Sequence, residues 1–194
     1  MRQLFIATIL AICASTCALA DCDAEFKFML EAMPKAGPYQ YAIESADGAK
    51  NNDFKKVLQA EYIFGVASHI KMGTQEMLAT TEGAWRMVDG KWQAMAEAET
   101  KSMQMGLKNP WYVHPENIKN LACLGPQDFE GKSYVTYGFD IEAFMGARTP
   151  QHLLVMKGAN NLPAIIRAEK ISNGDRMIAR IAFDPAIKIE APKP

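Results

Sequence analysis

The spacing of apolar residues changes repeatedly along this chain. In "DAEFKFMLEAM", residues 23–33, Phe26, Met29, Leu30 and Met33 recur at helical spacing. Asp21 or Asp23 can cap that helix, and Pro34 and Gly37 end it. From Pro38 onwards the helical period disappears, and short runs bounded by turn residues follow. "YQYAIESA" alternates as a strand. "FKKVLQAEYIF" carries apolar residues in both registers, compatible with helix or strand; its neighbours favour strand. "VASHIKMG" and "QEMLATTEG" are short and bounded by glycines, and "AWRMV" and "KWQAM" flank Asp89-Gly90. Such closely spaced runs predict an antiparallel meander.

Helical spacing returns in "AEAETKSMQMGL", residues 96–107, where Glu97 and Lys101 form an i,i+4 pair and Met95, Met103 and Leu107 can share a side. "NPWYVHPENIKNL" holds two prolines, predicting a loop and a short helix from Pro115. Strand signals resume in "GKSYVTYGFDIEAF". Its Tyr134, Tyr137 and Phe139 are out of step by one residue, which places a bulge near Gly138. "PQHLLVMKG", "LPAIIRAEK" and "RMIARIAFD" add three more strands, with turns at "GANN" and "SNGD" and a proline-rich tail. The predicted class is α+β: a curved antiparallel sheet, an incomplete β-barrel, with an N-terminal helix and a helical insertion (96–120) covering the concave face.

The hairpin at 84–95 can be registered by arithmetic. A two-residue Asp89-Gly90 turn sets Val88 opposite Lys91, Met87 opposite Trp92 and Trp85 opposite Ala94. Alternation then gathers Trp85, Met87, Trp92 and Ala94 on one face, expected to turn inward.

The extreme N-terminus belongs to a different class. Arg2, the apolar run "LFIATILAICA" and the small residues of "ALA" at 18–20 predict a signal peptide over 1–20, cleaved before Asp21. The run is too short to span a bilayer, and no later stretch is long or uncharged enough to do so. A single half-barrel domain over 21–194 is therefore expected, in the periplasm. Cys13 and Cys17 leave with the signal, and Cys22 and Cys123 remain as an even pair in an oxidising compartment. That context predicts a disulfide, against the alternative of two buried thiols. The formal net charge of −1 argues against nucleic acid or an anionic membrane as partner.

Signatures of chemistry are missing. No G-x-S-x-G, H-E-x-x-H, P-loop or G-x-G-x-x-G occurs. His69, His114 and His152 lie far apart in sequence, without carboxylates at regular ligand spacing. Glu130-Gly131 in "FEGK" reads as a turn between strands rather than as an acid–base pair. No enzyme, metal or cofactor is expected. The apolar inventory says more: Met87, Met95, Met103 and Met105 cluster around the helical insertion, and Trp85, Trp92 and Trp111 flank it. Methionine suits surfaces that repack around varied ligands, but the same residues can simply fill a core.

The order of elements, together with "MVDGKWQAM", resembles the outer-membrane lipoprotein carrier and related periplasmic half-barrels. "NLACLGPQDFEGKSYVTYGFD" resembles a segment of small exported bacterial proteins of uncharacterised role. The carrier resemblance implies a concave apolar cavity under a helical lid and a hydrophobic ligand: a lipid, an acyl chain or a lipidated protein. The expected ligand-binding residues are Trp85, Met87, Trp92, Met103, Leu107 and Trp111. The alternative is an envelope protein-interaction module, with a filled core, a protein partner and no small-molecule ligand.

Overall fold

The structure is a computed structural model of the 194-residue chain, and it describes residues 22–46, 53–108, 117–142, 151–168 and 176–192. Residues 22–32 form helix α1, which tightens into a 3₁₀ turn at Met33–Lys35 with Pro34 at its start. Six strands follow: β1 Tyr39–Ala46, β2 Lys55–Ile63, β3 Ala67–Met72, β4 Gln75–Thr80, β5 Ala84–Val88 and β6 Lys91–Ala94. Helix α2 spans Glu97–Lys108. Five strands complete the described chain: β7 Ile118–Phe129, β8 Lys132–Ile141, β9 Gln151–Lys157, β10 Pro163–Ala168 and β11 Arg176–Phe183.

All eleven strands form one sheet in the order β6-β5-β4-β3-β2-β1-β11-β10-β9-β8-β7. Every pairing is antiparallel, including β1 with β11, so the two ends of the meander meet in the middle of the sheet. The sheet curls but does not close, and β6 and β7 remain as its edges. The predicted incomplete barrel is therefore present, with both helices on one face.

Cross-strand register shows which face that is. Tyr39 of β1 pairs with Tyr62 of β2, Tyr62 with Ser68 of β3, Ser68 with Ala79 of β4, and Ala79 with Ala84 of β5. Directly paired residues share a face. At one end of this row, Tyr39 and Tyr62 stack in the cluster that α1 covers; at the other, Ala79 and Ala84 pack beneath Leu107 of α2.

Under α1 lies a cluster of buried aromatic and aliphatic side chains. Phe26 sits between Tyr137 and Phe139 with ring centroids 5.3 Å from each, and Met29 packs in the same cluster. The helix forms here because its stripe of Cys22, Phe26, Met29 and Met33 is buried while Asp23, Lys27 and Glu31 face water. Cys22 is bonded to Cys123 of the edge strand β7, with Cα atoms 5.7 Å apart, as the cysteine pair predicted. Tyr137 adds a polar tie by donating to Glu25 of α1 at 2.8 Å. Burial, then the hydrogen bond to Glu25, pushes its phenol up to about 12.

Three local expectations are corrected. Ile118 opens a strand rather than continuing a short helix, so the helical cover does not reach residue 120. Among the described residues five strands, not four, follow α2. The expected bulge near Gly138 is not in β8, whose pairing with β9 is uninterrupted. Tyr134 is out of step because it belongs to the opposite face, in a cluster with Met156, Ile165 and Ile178. The register shifts lie across from it in β7, between Lys119 and Ala122 and between Cys123 and Gly125. Asn120 and Gly125 take positive φ there (54° and 70°). An edge strand tolerates such breaks, and also Pro126, because one side of its ladder has no partner to lose.

Candidate functional site

The hairpin that carries two tryptophans forms with the predicted register: Trp85 pairs with Ala94, Met87 with Trp92 and Val88 with Lys91. Asp89 and Gly90 both have positive φ (49° and 74°), which a two-residue hairpin of this twist requires. The direction of the ribbon differs from expectation. Ala84, not Trp85, is the residue under α2. Trp85 pairs with Leu78, and Leu78 with His69, on the face away from both helices. Trp85, Met87 and Trp92 therefore share the outer face, half-buried, and do not turn inward. The inward positions of the ribbon belong to Ala84, Arg86 and Val88.

On that outer face Trp92 meets the edge of His69, with ring centroids 6.1 Å apart. His69 Nε2 lies 2.7 Å from Glu76, and its Nδ1 lies 3.7 Å from Glu61. Lys71 reaches Glu76 at 3.2 Å. The hydrogen bond to His69, more than the lysine, holds the Glu76 carboxyl below its ordinary value. Residues 69 and 76 are seven apart and meet only because β3 and β4 fold back on each other, a proximity that helical or loop ligand spacing does not reveal. His152 makes a separate pair with Asp140 at 2.8 Å. His69 lies on β3 and His152 on β9, with four strands between them, so the two pairs do not converge. Among the described residues no set of three histidine, cysteine or acidic side chains could hold a metal ion. His114 and Trp111 lie outside the described residues.

The helix-bearing face is not filled throughout. A cleft of about 640 Å³ opens between α2 and the strands β4 and β5, and is lined in part by Met77, Arg86, Met87, Met95, Glu99 and Met103. That volume lies within the range of about 300–1,000 Å³ usual for small-molecule sites. Its helix wall is built from Glu99, Ser102 and Met103 of α2, which recur at one-turn spacing, with Met95 in the segment just before the helix. Its floor is the inward side of β4 and β5, where Met77 pairs with Arg86. Arg86 crosses the cleft to Glu99 at 2.5 Å, and Glu99 also accepts from the Ala96 N–H at the start of α2. The far end of α2 is pinned: Gln104 donates to the carbonyls of Thr80 and Thr81, and Gly65 N donates to the Leu107 carbonyl.

Of the expected binding residues, Met103 lines this cleft from α2, and Met87 borders it although its position has the outer parity of β5. Leu107 is buried against Ala79 and Ala84, while Trp85 and Trp92 lie across the sheet on the outer face. Met77, Arg86 and Glu99 were not anticipated. Met77 and Arg86 show a signal in hindsight, since they occupy the inward parity once Ala84 is set inward.

The architecture matches known structures far apart in sequence. Mycobacterium tuberculosis lipoprotein LppX superposes with a TM-score of 0.57 at 9% identity, covering 88% of this chain and 99% of its own. LprF from Mycobacterium bovis gives a TM-score of 0.60 at 10% identity, covering 89% and 97%. The fold is the open antiparallel half-barrel that these two structures share with this chain. A LolA superfamily protein from Nitrosomonas europaea superposes more loosely, at a TM-score of 0.34 and 10% identity over 80% of this chain and 90% of its own. No family model matches the chain, and no curated protein matches it significantly. Among the described residues, no helix is long and apolar enough to cross a membrane.

Proposed function

We propose that this half-barrel is a non-enzymatic periplasmic binding protein for a hydrophobic ligand, a lipid, an acyl chain or a lipidated protein, held in the cleft beside α2. Removal of residues 1–20 on export would leave one domain that works in the envelope. The observation that carries the reading is the methionine-walled cleft on the helix-bearing face, with Met77, Met95 and Met103 on facing elements. Methionine side chains are flexible and polarisable, so they conform to chains of different length and branching. Burying apolar surface there would contribute on the order of 25 cal/mol per Å² before ordering costs.

Native mass spectrometry of the mature protein from envelope fractions, with displacement of an uncharged fluorescent apolar probe, tests this. The expected result is a stoichiometric apolar adduct and probe displacement that weakens in Met77→Gln. The absence of both adduct and displacement would overturn it.

The aromatic cluster buried under α1 and the open edge strand β6 favour a second reading, an envelope protein-interaction module whose edge β6 accepts a partner strand. A stoichiometric protein partner in the absence of any apolar adduct would select that reading.

A further inference from the structure

We infer that the ligand of the cleft is an amphiphile with an anionic head group, and that Arg86 is the residue that takes the head. This rests on the reading of the cleft as an apolar-ligand site and adds the chemistry of the ligand's polar end. Among the described residues lining the cleft, Arg86 is the one cation, and it stands on the floor beside Met77. Its side chain is 46% exposed, and its contact with Glu99 uses Nη2 alone. A guanidinium has five donors in a planar fork that matches a carboxylate or phosphate in two parallel hydrogen bonds. The other donors of Arg86 are thus available to a second anion without breaking the first pair.

The two carboxylates of the lining do not compete equally. Glu76 is engaged by His69 at 2.7 Å and Lys71 at 3.2 Å. Its side chain belongs to the outer parity, with Lys71, away from Arg86. Glu99 keeps a partner of its own in the Ala96 N–H at 3.2 Å. If a ligand anion draws Arg86 aside, Glu99 is still held at the first turn of α2, where helix-terminal N–H groups favour negative charge. A neutral head group gains nothing from Arg86. A cationic head meets a like charge on the floor and an acid already paired on the wall. With the head at Arg86, an acyl chain can lie along Met95 and Met103, burying its tail without burying a charge.

The test uses the mature protein and a matched set of twelve-carbon chains: dodecanoate, dodecyl phosphate, dodecanol and dodecyltrimethylammonium. Each displaces an uncharged fluorescent probe below its micelle threshold near neutral pH. The two anions should bind roughly 10- to 100-fold more tightly than dodecanol, as charge-assisted hydrogen bonds allow. The cation should bind no better than dodecanol. The stronger of the two anions identifies the head as carboxylate or phosphate. Arg86→Gln should erase the anion preference, bringing dodecanoate and dodecyl phosphate down to the affinity that the same variant has for dodecanol, and Glu99→Gln should strengthen anion binding. Equal binding of dodecanoate and dodecanol, or a preference that survives Arg86→Gln, would overturn the head-group assignment while leaving the apolar cleft standing. Failure of all four chains to displace the probe would overturn the cleft reading and this assignment with it.

Discussion

Replacing both cysteines of the Cys22–Cys123 bridge tests how the half-barrel is held together. The bridge closes a loop with a sequence separation of 101, which contains β1 to β6 and α2. In the chain-entropy account, removing a cross-link of that span costs about 4.7 kcal/mol at 25 °C, because the unfolded chain regains its loop freedom. Alanine is the better replacement at Cys22, which is 3% exposed, since a buried serine hydroxyl would add an unrelated desolvation cost. For a domain of this size each kcal/mol shifts Tm by roughly 2–4 °C, so Cys22→Ala/Cys123→Ala should melt about 9–19 °C lower. Urea unfolding of the oxidised protein and the double variant measures the same loss at equilibrium. Helix α1 retains Phe26 and Met29 in its core cluster, so far-UV circular dichroism of the folded variant should be unchanged. A loss under about 1 kcal/mol would refute the loop-closure reasoning. It would mean that residual structure already restricts the unfolded chain or that the bridge strains the fold.

Other perturbations separate packing from binding. Phe26→Ala removes the ring between Tyr137 and Phe139 and should cost about 3–5 kcal/mol in urea unfolding; a loss under 1 kcal/mol would show that α1 is not core. Trp92→Ala removes a half-buried ring from the outer face and should cost only about 1–2 kcal/mol. It should also leave probe binding unchanged, so lost binding would return Trp92 to the site. The phenol of Tyr137 is raised from 10.0 to about 12 in the folded protein. A raised pKa contributes stability that is fully present below the unfolded value and is lost as pH rises through the folded one. Stability should therefore fall between pH 10.0 and about 12, and Tyr137→Phe should flatten that part of the profile; an identical fall in the variant would assign it elsewhere. Gly90→Val places a β-branched residue at φ 74° and should destabilise the β5–β6 hairpin by about 1–3 kcal/mol, read by hydrogen exchange of β6.

The features legible in the chain alone are local and covalent. The alternation of "YQYAIESA" produces β1, Asp89-Gly90 and Glu130-Gly131 each form two-residue turns with positive φ at both positions, and Cys22 and Cys123 find each other. These features rest on neighbours in the chain or on a count of two. Period-two alternation says which residues share a face, but not which way that face points. In the 84–95 ribbon the apolar content is divided between the two faces, Ala84 and Val88 against Trp85, Met87 and Trp92, so bulk favoured the wrong side. Packing decided it: α2 needs close approach, and Ala79 and Ala84 provide a flat seat for Leu107 that a tryptophan would block. Strand β7 was illegible at its start because an edge strand tolerates Pro126 and the breaks at Asn120 and Gly125, which weaken every strand signal. The His69–Glu76 pair and the facing of Arg86 and Glu99 across the cleft are likewise tertiary. They join residues on different elements, and only the register of one strand against the next, and the seat of a helix upon them, brings such residues within reach.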